Sequence, residues 1–506
     1  VTRSQWLVTF GILLGIFMAS MEGTVVATAM PTIVSKIGGL RSFSWVFSGY
    51  MLASTITLPI YGKLSDIFGR RRVYAVAMIL FLIASVLCGL ARSMPQLIAF
   101  RVLQGLGAGG VLPVAFIIVG AMFTLELRAR VQGLFAGVWG VSSILGPLFG
   151  GFLVDRVSWP WVFYVNLFPG IVALALIWSF LHEEPHHATH KPPIDYLGAA
   201  VLSATVAALL LGLFELQTPV GRALLLVAAA LFAALIWIEM RAADPILPVP
   251  LFRDRLFAAA CGQGLGSGWA AFGSIAFVPL FVQAVLGTTA TQAGAAIVPI
   301  SVGWPIASVT GSRLLLRFGH RPLAIIGMSL LTFGTIFMAR VTMDAPQVHV
   351  MISLFLMGLG MGCSVPLFMI AVQSKVDRRY LGAATATIQF SRSVGGALGV
   401  SVMGVVLSAR LASGLAAAGI DPSTVSLDRL LDPLARAATA AAIQQTLRGA
   451  LTGAVQAVFV VAAVGAAVGL IATILSPGGP LGERLRTPTD VVAGPEPLPT
   501  PAESAK

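Results

Sequence analysis

Runs of about 20 apolar residues, each closed by a charged or turn-forming cluster, recur along almost the whole chain. Read by hydropathy, they predict roughly fourteen membrane-spanning helices. These cover residues 5–31, 43–62, 73–92, 96–123, 131–154, 161–181, 195–216, 222–241, 256–285, 292–315, 322–341, 347–374, 381–409 and 448–475. Apolar runs of this length and number make the expected class an all-α polytopic membrane protein. The first run, from Trp6 to Met30, is too long for a signal segment and ends in no small-residue cleavage site, so it reads as a retained span.

Two connections break the pattern. His182 to Ile194 is polar and contains proline, which marks a boundary. Arg410 to Gln445 is Ala-rich, with Asp421-Pro422 and Asp432-Pro433 as helix starts, and reads as short amphipathic helices in an outer loop. The segment after Ser476 is rich in Pro and Gly and reads as a disordered cytoplasmic tail.

Composition sharpens the class. The 506 residues are 57% hydrophobic and 10% charged, whereas soluble domains carry roughly 25% charged residues. The net charge of +12 does not require a nucleic acid partner. With the N-terminus placed inside, the inner connections receive 20 of the 32 Lys and Arg residues, the outer ones receive 10, and Arg101 and Arg392 fall inside spans. This bias predicts both termini on the cytoplasmic side. Cys88, Cys261 and Cys363 stand alone in apolar runs and read as small hydrophobes rather than as disulfides or metal ligands. His182, His186, His187 and His190 cluster on one inner loop, where solvated side chains are the simpler reading and a metal site the alternative.

The chain repeats itself. Phe68-Gly69 and Arg71 return as Phe318-Gly319 and Arg321, an offset of 250. Gly105, Gly107 and Pro113 return as Gly358, Gly360 and Pro366, an offset of 253. Gly146 and Gly150 return as Gly395 and Gly399, an offset of 249. Matches in the same order at nearly one spacing imply two homologous bundles. The expected organisation is a first six-helix bundle over 1–181, a linker and inserted helix pair over 182–255, a second bundle over 256–476 with the loop 410–445, and a tail over 477–506.

Between the second and third runs lies Gly62-Lys63-Leu64-Ser65-Asp66-Ile67-Phe68-Gly69-Arg70-Arg71-Arg72. It resembles the signature loop of the major facilitator superfamily. Leu97 to Gly107, with Arg101 inside, resembles that family's fourth-helix arginine motif. Gly137-Val138-Trp139-Gly140 with Gly146-Pro147-Leu148-Phe149-Gly150-Gly151 resembles its fifth-helix antiporter motif. Met21 to Pro31 and Trp159 to Asn166 are similar to segments of the fourteen-span drug:proton antiporters, the EmrB/QacA group, though that group usually carries Asp where this chain has Glu22. The resemblance implies two six-helix bundles plus two inserted helices, a bacterial cytoplasmic membrane location, a monomer, and export driven by the proton gradient with no cofactor.

It also implies roles. Glu22 and Arg101 would couple to protons. Glu22 reads as the one acid clearly inside a span, and a charge near the membrane centre costs about 2.5–3.5 kcal/mol even on a lenient scale, which marks it as functional. Arg101 faces Leu354 in the repeat, so the fold does not require it. Arg392 would lie in the substrate cavity or pair with Glu22 in one state, unless it snorkels to the cytoplasmic end. Gly62, Asp66, Gly69, Arg70 and Arg71 would latch one conformation, with Asp66 at the start of the third span and favourable to its dipole. Gly137, Gly146, Pro147, Gly150 and Gly151 would allow close helix approach. No Gly-x-x-x-x-Gly-Lys-Ser/Thr loop is present, which leaves out ATP as the energy source. The expected activity is proton-coupled export of amphipathic or hydrophobic small molecules. Export of lipids or glycolipids on the same fold is the alternative, and no constellation suggests an enzyme.

Overall fold

The computed structural model describes residues 2–38, 42, 44–183, 195–216, 218–242, 245–247, 249–286, 290–418 and 441–478. The predicted outer helices over 421–440, the tail beyond 478, and His186, His187 and His190 lie outside them. The described residues form fifteen α-helices and two short 3-10 turns. They are α1 (Arg3–Ile37), α2 (Ser44–Phe68), α3 (Arg70–Gly89), α4 (Met94–Met122), α5 (Leu125–Arg156), the single-turn α6 (Trp161–Tyr164), α7 (Leu167–Phe180), α8 (Tyr196–Phe214), α9 (Pro219–Glu239), α10 (Arg255–Ala284), α11 (Ala290–Phe318), α12 (His320–Ala339), α13 (Gln347–Lys375), α14 (Leu381–Ala417) and α15 (Ala441–Leu475). Twelve stretches are long and apolar enough to cross a membrane. Helices α2 and α5 are as long as these but less apolar.

Local signals start the helices where the sequence places them. Thr2 and Gln5 exchange reciprocal hydrogen bonds in a capping box at the head of α1. Thr218 caps α9 through the Gly221 N–H, with Pro219 in the first turn. Asp254 caps α10 through the Leu256 and Phe257 N–H groups. The run at 161–181 is not one helix. It breaks after Tyr164 into α6 and α7, and Asn166 sits in the break.

The repeat read from glycine spacing is a repeat of packing. A methyl at Gly105 in α4 would collide with the Tyr50 carbonyl of α2, and one at Gly358 in α13 with the Ile300 carbonyl of α11. Gly107 lies against the backbone of α3 at Phe81, and Gly360 against that of α12 at Leu331. Gly150 packs on Val25 of α1 and Gly399 on Trp269 of α10. Gly69 and Gly319 separate successive helices with φ of +86° and +77°, a conformation other residues rarely adopt. The same small-residue contacts thus bring α2–α5 and α11–α14 together in the same way.

Buried apolar clusters follow this division. One draws on α10–α15, including Phe281, Met357 and Phe459. Two others draw on α1–α7. The α8–α9 pair lies beside both halves, with Leu202, Val206 and Leu210 of α8 packed near Met51, Leu52 and Ile56 of α2 and near Phe390, Ala397 and Leu398 of α14. Large side chains such as Phe168, Leu226 and Leu475 stay exposed. An apolar exterior of this extent is stable against lipid and not against water. The chain is a multi-pass membrane protein.

Candidate functional site: a buried charge network and an interhelical latch

Glu22 and Arg101 are each 1% exposed, and they form an ion pair. Arg101 Nη1 donates to Glu22 Oε1 and, at 2.7 Å, to Gln104 Oε1. Its Nε donates to the Val46 carbonyl at 3.1 Å, and its guanidinium lies 4.2 Å from the centre of the Tyr50 ring. The second oxygen of Glu22 accepts from the Asn166 amide. Gln104 Nε2 in turn donates to Ser85 Oγ at 2.8 Å. Five segments of the first half therefore meet at one dehydrated point: α1, α2, α3, α4 and the α6–α7 break.

This geometry has a physical requirement and a chemical consequence. Two charges out of water are tolerated only when their remaining donors and acceptors are also satisfied. Val46, Gln104, Asn166 and Tyr50 meet that condition. A carboxylate so held can take up a proton only by giving up its charged hydrogen bond to Arg101. Protonation would therefore alter the packing of α1 against α4.

The second half lacks the network. Leu354 and Met357 stand where the repeat aligns them with Arg101 and Gln104, both fully buried in an apolar cluster.

The sequence paired Glu22 and Arg101 by resemblance alone, and the structure brings them into contact. It does not bring Arg392 to them. Glu22 spends both oxygens on Arg101 and Asn166, and Arg392 is half-buried in α14. Gln104, Ser85 and Tyr50 were not legible as members, because Gln, Ser and Tyr in apolar helices are common. Asn166 offered a signal, since a polar amide in an apolar run at a helix break calls for a partner. Glu22 is also not the lone buried acid, because Glu239 at the end of α9 is 2% exposed.

The loop residues form a second constellation at the end of the molecule that carries Gly69 and Gly319. Asp66 does not begin α3. It sits in the last turn of α2, and its carboxylate accepts the Gly382 N–H at 2.8 Å and the Ala383 N–H at 2.9 Å. These are the orphan donors of the first turn of α14, so Asp66 caps a helix of the opposite half. The close approach depends on Gly62, where a methyl would collide with Ala386, and on Gly382, where one would collide with the Gly62 carbonyl. The first turn of α3 has a different partner, Glu183, whose Oε1 accepts the Arg70 N–H at 2.8 Å. Arg71 stacks over Trp178 at 4.3 Å.

The two halves meet again at this end. Gln373 of α13 donates to the Phe116 carbonyl of α4 at 3.2 Å, and Arg128 of α5 donates to the Gln373 carbonyl at 3.3 Å. The second half has no counterpart of the Asp66 cap, since its repeat position is Leu316. Arg321 instead donates to the Ile474 carbonyl of α15 at 2.8 Å, within its own half.

The glycines of the fifth-helix motif divide. Gly140 packs on the Ser301 carbonyl of α11 in the other half, and Gly146 and Gly150 pack on α1. Gly137 and Gly151 have no atom near enough to demand glycine, so close packing is not their role. The Pro147 side chain lies outside the described residues. His182 makes one local contact, with the Phe180 carbonyl at 3.1 Å. No metal-ligating cluster occurs among the described residues.

The family model of the Major Facilitator Superfamily matches residues 12–400. The chain belongs to this superfamily. It is a transporter and not an enzyme. Among relatives, the Multidrug transporter protein MdtP of Bacillus subtilis is 37% identical over 406 residues, covering 79% of this chain and 75% of the relative. Multidrug resistance protein 3 of the same organism is 37% identical over 405 residues, covering 79% of each chain. The proton:xylose symporter XylE superposes with a TM-score of 0.61 at 14% identity, over 91% of this chain and 94% of that one. At that identity the likeness concerns the fold.

Proposed function

We propose that this superfamily member is a proton-coupled exporter of small amphipathic or hydrophobic compounds, of the fourteen-span antiporter type. The observation that carries the coupling is the Glu22–Arg101–Asn166 network, a fully buried ion pair in one half, where the other half has Leu354 at the repeat position of Arg101 and Met357 at that of Gln104. Two relatives at 37% identity are named for multidrug transport or resistance, which supports the substrate class. Adding α2 and α5 to the twelve apolar stretches gives fourteen spans, with α8–α9 as the inserted pair between bundles. The arginine-rich end then faces the cytoplasm of a bacterial inner membrane, with both termini inside. The halves are closed against each other at that end by Asp66, Gln373 and Arg128, which is an outward-facing arrangement.

The cycle follows from these contacts. An external proton neutralises Glu22, frees Arg101 and loosens α1 from α4. The inner end opens, the proton leaves inward, and substrate is taken up from the inner side. One proton moving through 100 mV supplies about 2.3 kcal/mol, enough for roughly a 50-fold gradient of a neutral substrate.

The test is transport in proteoliposomes with an imposed pH gradient. Glu22→Gln is expected to abolish gradient-driven accumulation of a fluorescent lipophilic substrate while retaining substrate binding. Full proton-driven transport by that variant would sink the assignment.

A further inference from the structure

Glu239 and Asp195 lie at the arginine-rich end of the α8–α9 pair, and neither belongs to the network around Glu22. Glu239 closes α9 and is almost wholly buried, and Asp195 caps α8 through the Gly198 N–H at 2.7 Å. Glu239 Oε2 accepts the Leu247 N–H at 3.3 Å, and the Ile246 N–H also faces the carboxylate. The remaining oxygens, Asp195 Oδ2 and Glu239 Oε1, are both buried without a hydrogen-bond partner. They flank one residue, since a methyl at Gly198 would lie against Asp195 Oδ2 and 3.1 Å from Glu239 Oε1.

The charges around them do not balance. From α2, Lys63 is 5% exposed and within electrostatic reach of Glu239, and the same ammonium faces Asp66 of the latch. Arg70 of α3 faces Asp66. Arg241, just beyond α9, is exposed and stacks 4.0 Å over Trp237. Among the described residues, two acids therefore converge on one ammonium shared with a third. Two carboxylates with unpartnered oxygens this close in a dehydrated site cannot both stay ionised at low cost.

The site also sits where it can act. Helix α8 packs on both α2 and α14, the two helices joined by the Asp66 cap. We propose that Asp195 and Glu239 form a second proton-binding site, which holds one proton while the arginine-rich end is closed and thereby ties the latch to the pH on that side. The closed state binds the additional proton. Closure is thus favoured at low pH and is lost as pH rises and that proton leaves. A single linked proton changes the closed-to-open ratio by up to about tenfold per pH unit.

The test uses the full chain in lipid nanodiscs, cysteine-free, with spin labels at Glu126 and Asp377, which are exposed at this end on opposite halves. Distance distributions are recorded from pH 5 to 9 at fixed sodium. In a Glu22→Gln background, where protonation of Glu22 can no longer open this end, the protein is expected to shift from closed to open as pH rises. Glu239→Gln and Asp195→Asn are each expected to flatten that response and to remove a protonated-carboxyl band from the infrared spectrum. Because these proteins all lack the Glu22 carboxyl, the outcome is independent of whether Glu22 carries the transported proton. If Glu239→Gln does not fold, Asp195→Asn decides. The proposal is overturned if both variants titrate like the Glu22→Gln background, or if that background shows no response to pH.

Discussion

Replacing Asp66 with alanine removes both hydrogen bonds to the first turn of α14, at 2.8 and 2.9 Å, and touches nothing in the buried network around Glu22. Hydrogen bonds with one charged partner contribute about 1.5–3 kcal/mol each after the exchange with water is counted. Taking the lower figure for both gives ~3 kcal/mol, with the favourable placement at a helix N-terminus already included. These bonds exist only while α2 and α14 are together. The whole amount should therefore appear in the equilibrium between closed and open forms of that end, a change of ~150-fold. Asp66→Asn keeps one acceptor oxygen and should lose about half, roughly tenfold in the ratio. The assay is double electron–electron resonance across the arginine-rich end, with thermal unfolding measured alongside to confirm that the variants are folded. A folded Asp66→Ala protein whose closed fraction stays within twofold of the parent would refute the reasoning. The closure would then have to rest on the apolar and glycine contacts alone.

Other outcomes follow from the same contacts. Arg101→Leu leaves Glu22 buried without its charged partner, so it should cost about 3–5 kcal/mol in thermal unfolding; adding Glu22→Gln should restore part of the loss, and no restoration would argue against the pair. Gly69→Ala places a side chain at φ +86°, 2.6 Å from Glu183 Oε2, and should cost at least ~1–2 kcal/mol. Gly151→Ala meets no atom within 4 Å and should be neutral or slightly stabilising, whereas Gly150→Ala meets the Val25 carbonyl at 3.0 Å and should impair packing of α5 on α1. At Asp254, partial burial opposes ionisation, but Lys375 and the Leu256 and Phe257 amides outweigh it and hold the carboxyl below its ordinary range. Its contribution is present above the unfolded-state value and is lost as pH falls through the lowered one, so Asp254→Ala should be less sensitive to acid than the parent in unfolding measured below pH 5.

Much of the site could be read from the chain because membrane burial makes polar residues conspicuous. Glu22 and Arg101 stand out against apolar runs, and the glycines of the repeat stand out by spacing. What stayed hidden is partnership. The loop around Asp66 stood out in the chain, but the sequence assigns its charge to the adjoining α3, and the carboxylate caps α14, more than 300 positions away. Glu239 drew no notice in the sequence, because its burial depends on α8 and on the chain at Ile246 and Leu247. Gly137 and Gly151 looked like packing glycines because the motif groups them with Gly146 and Gly150, yet helical rotation turns them away from α1.

The sequence by itself determined that this protein is a helical membrane protein built from a repeat. Hydropathy and residue spacing are local quantities, and the bilayer leaves a chain this apolar few alternatives to bundled helices. The tertiary structure decided which charges neutralise one another. A buried charge is stable only beside partners from other helices, and the angles at which those helices pack, set by glycine contacts such as Gly62 on Ala386 and Gly105 on Tyr50, choose those partners.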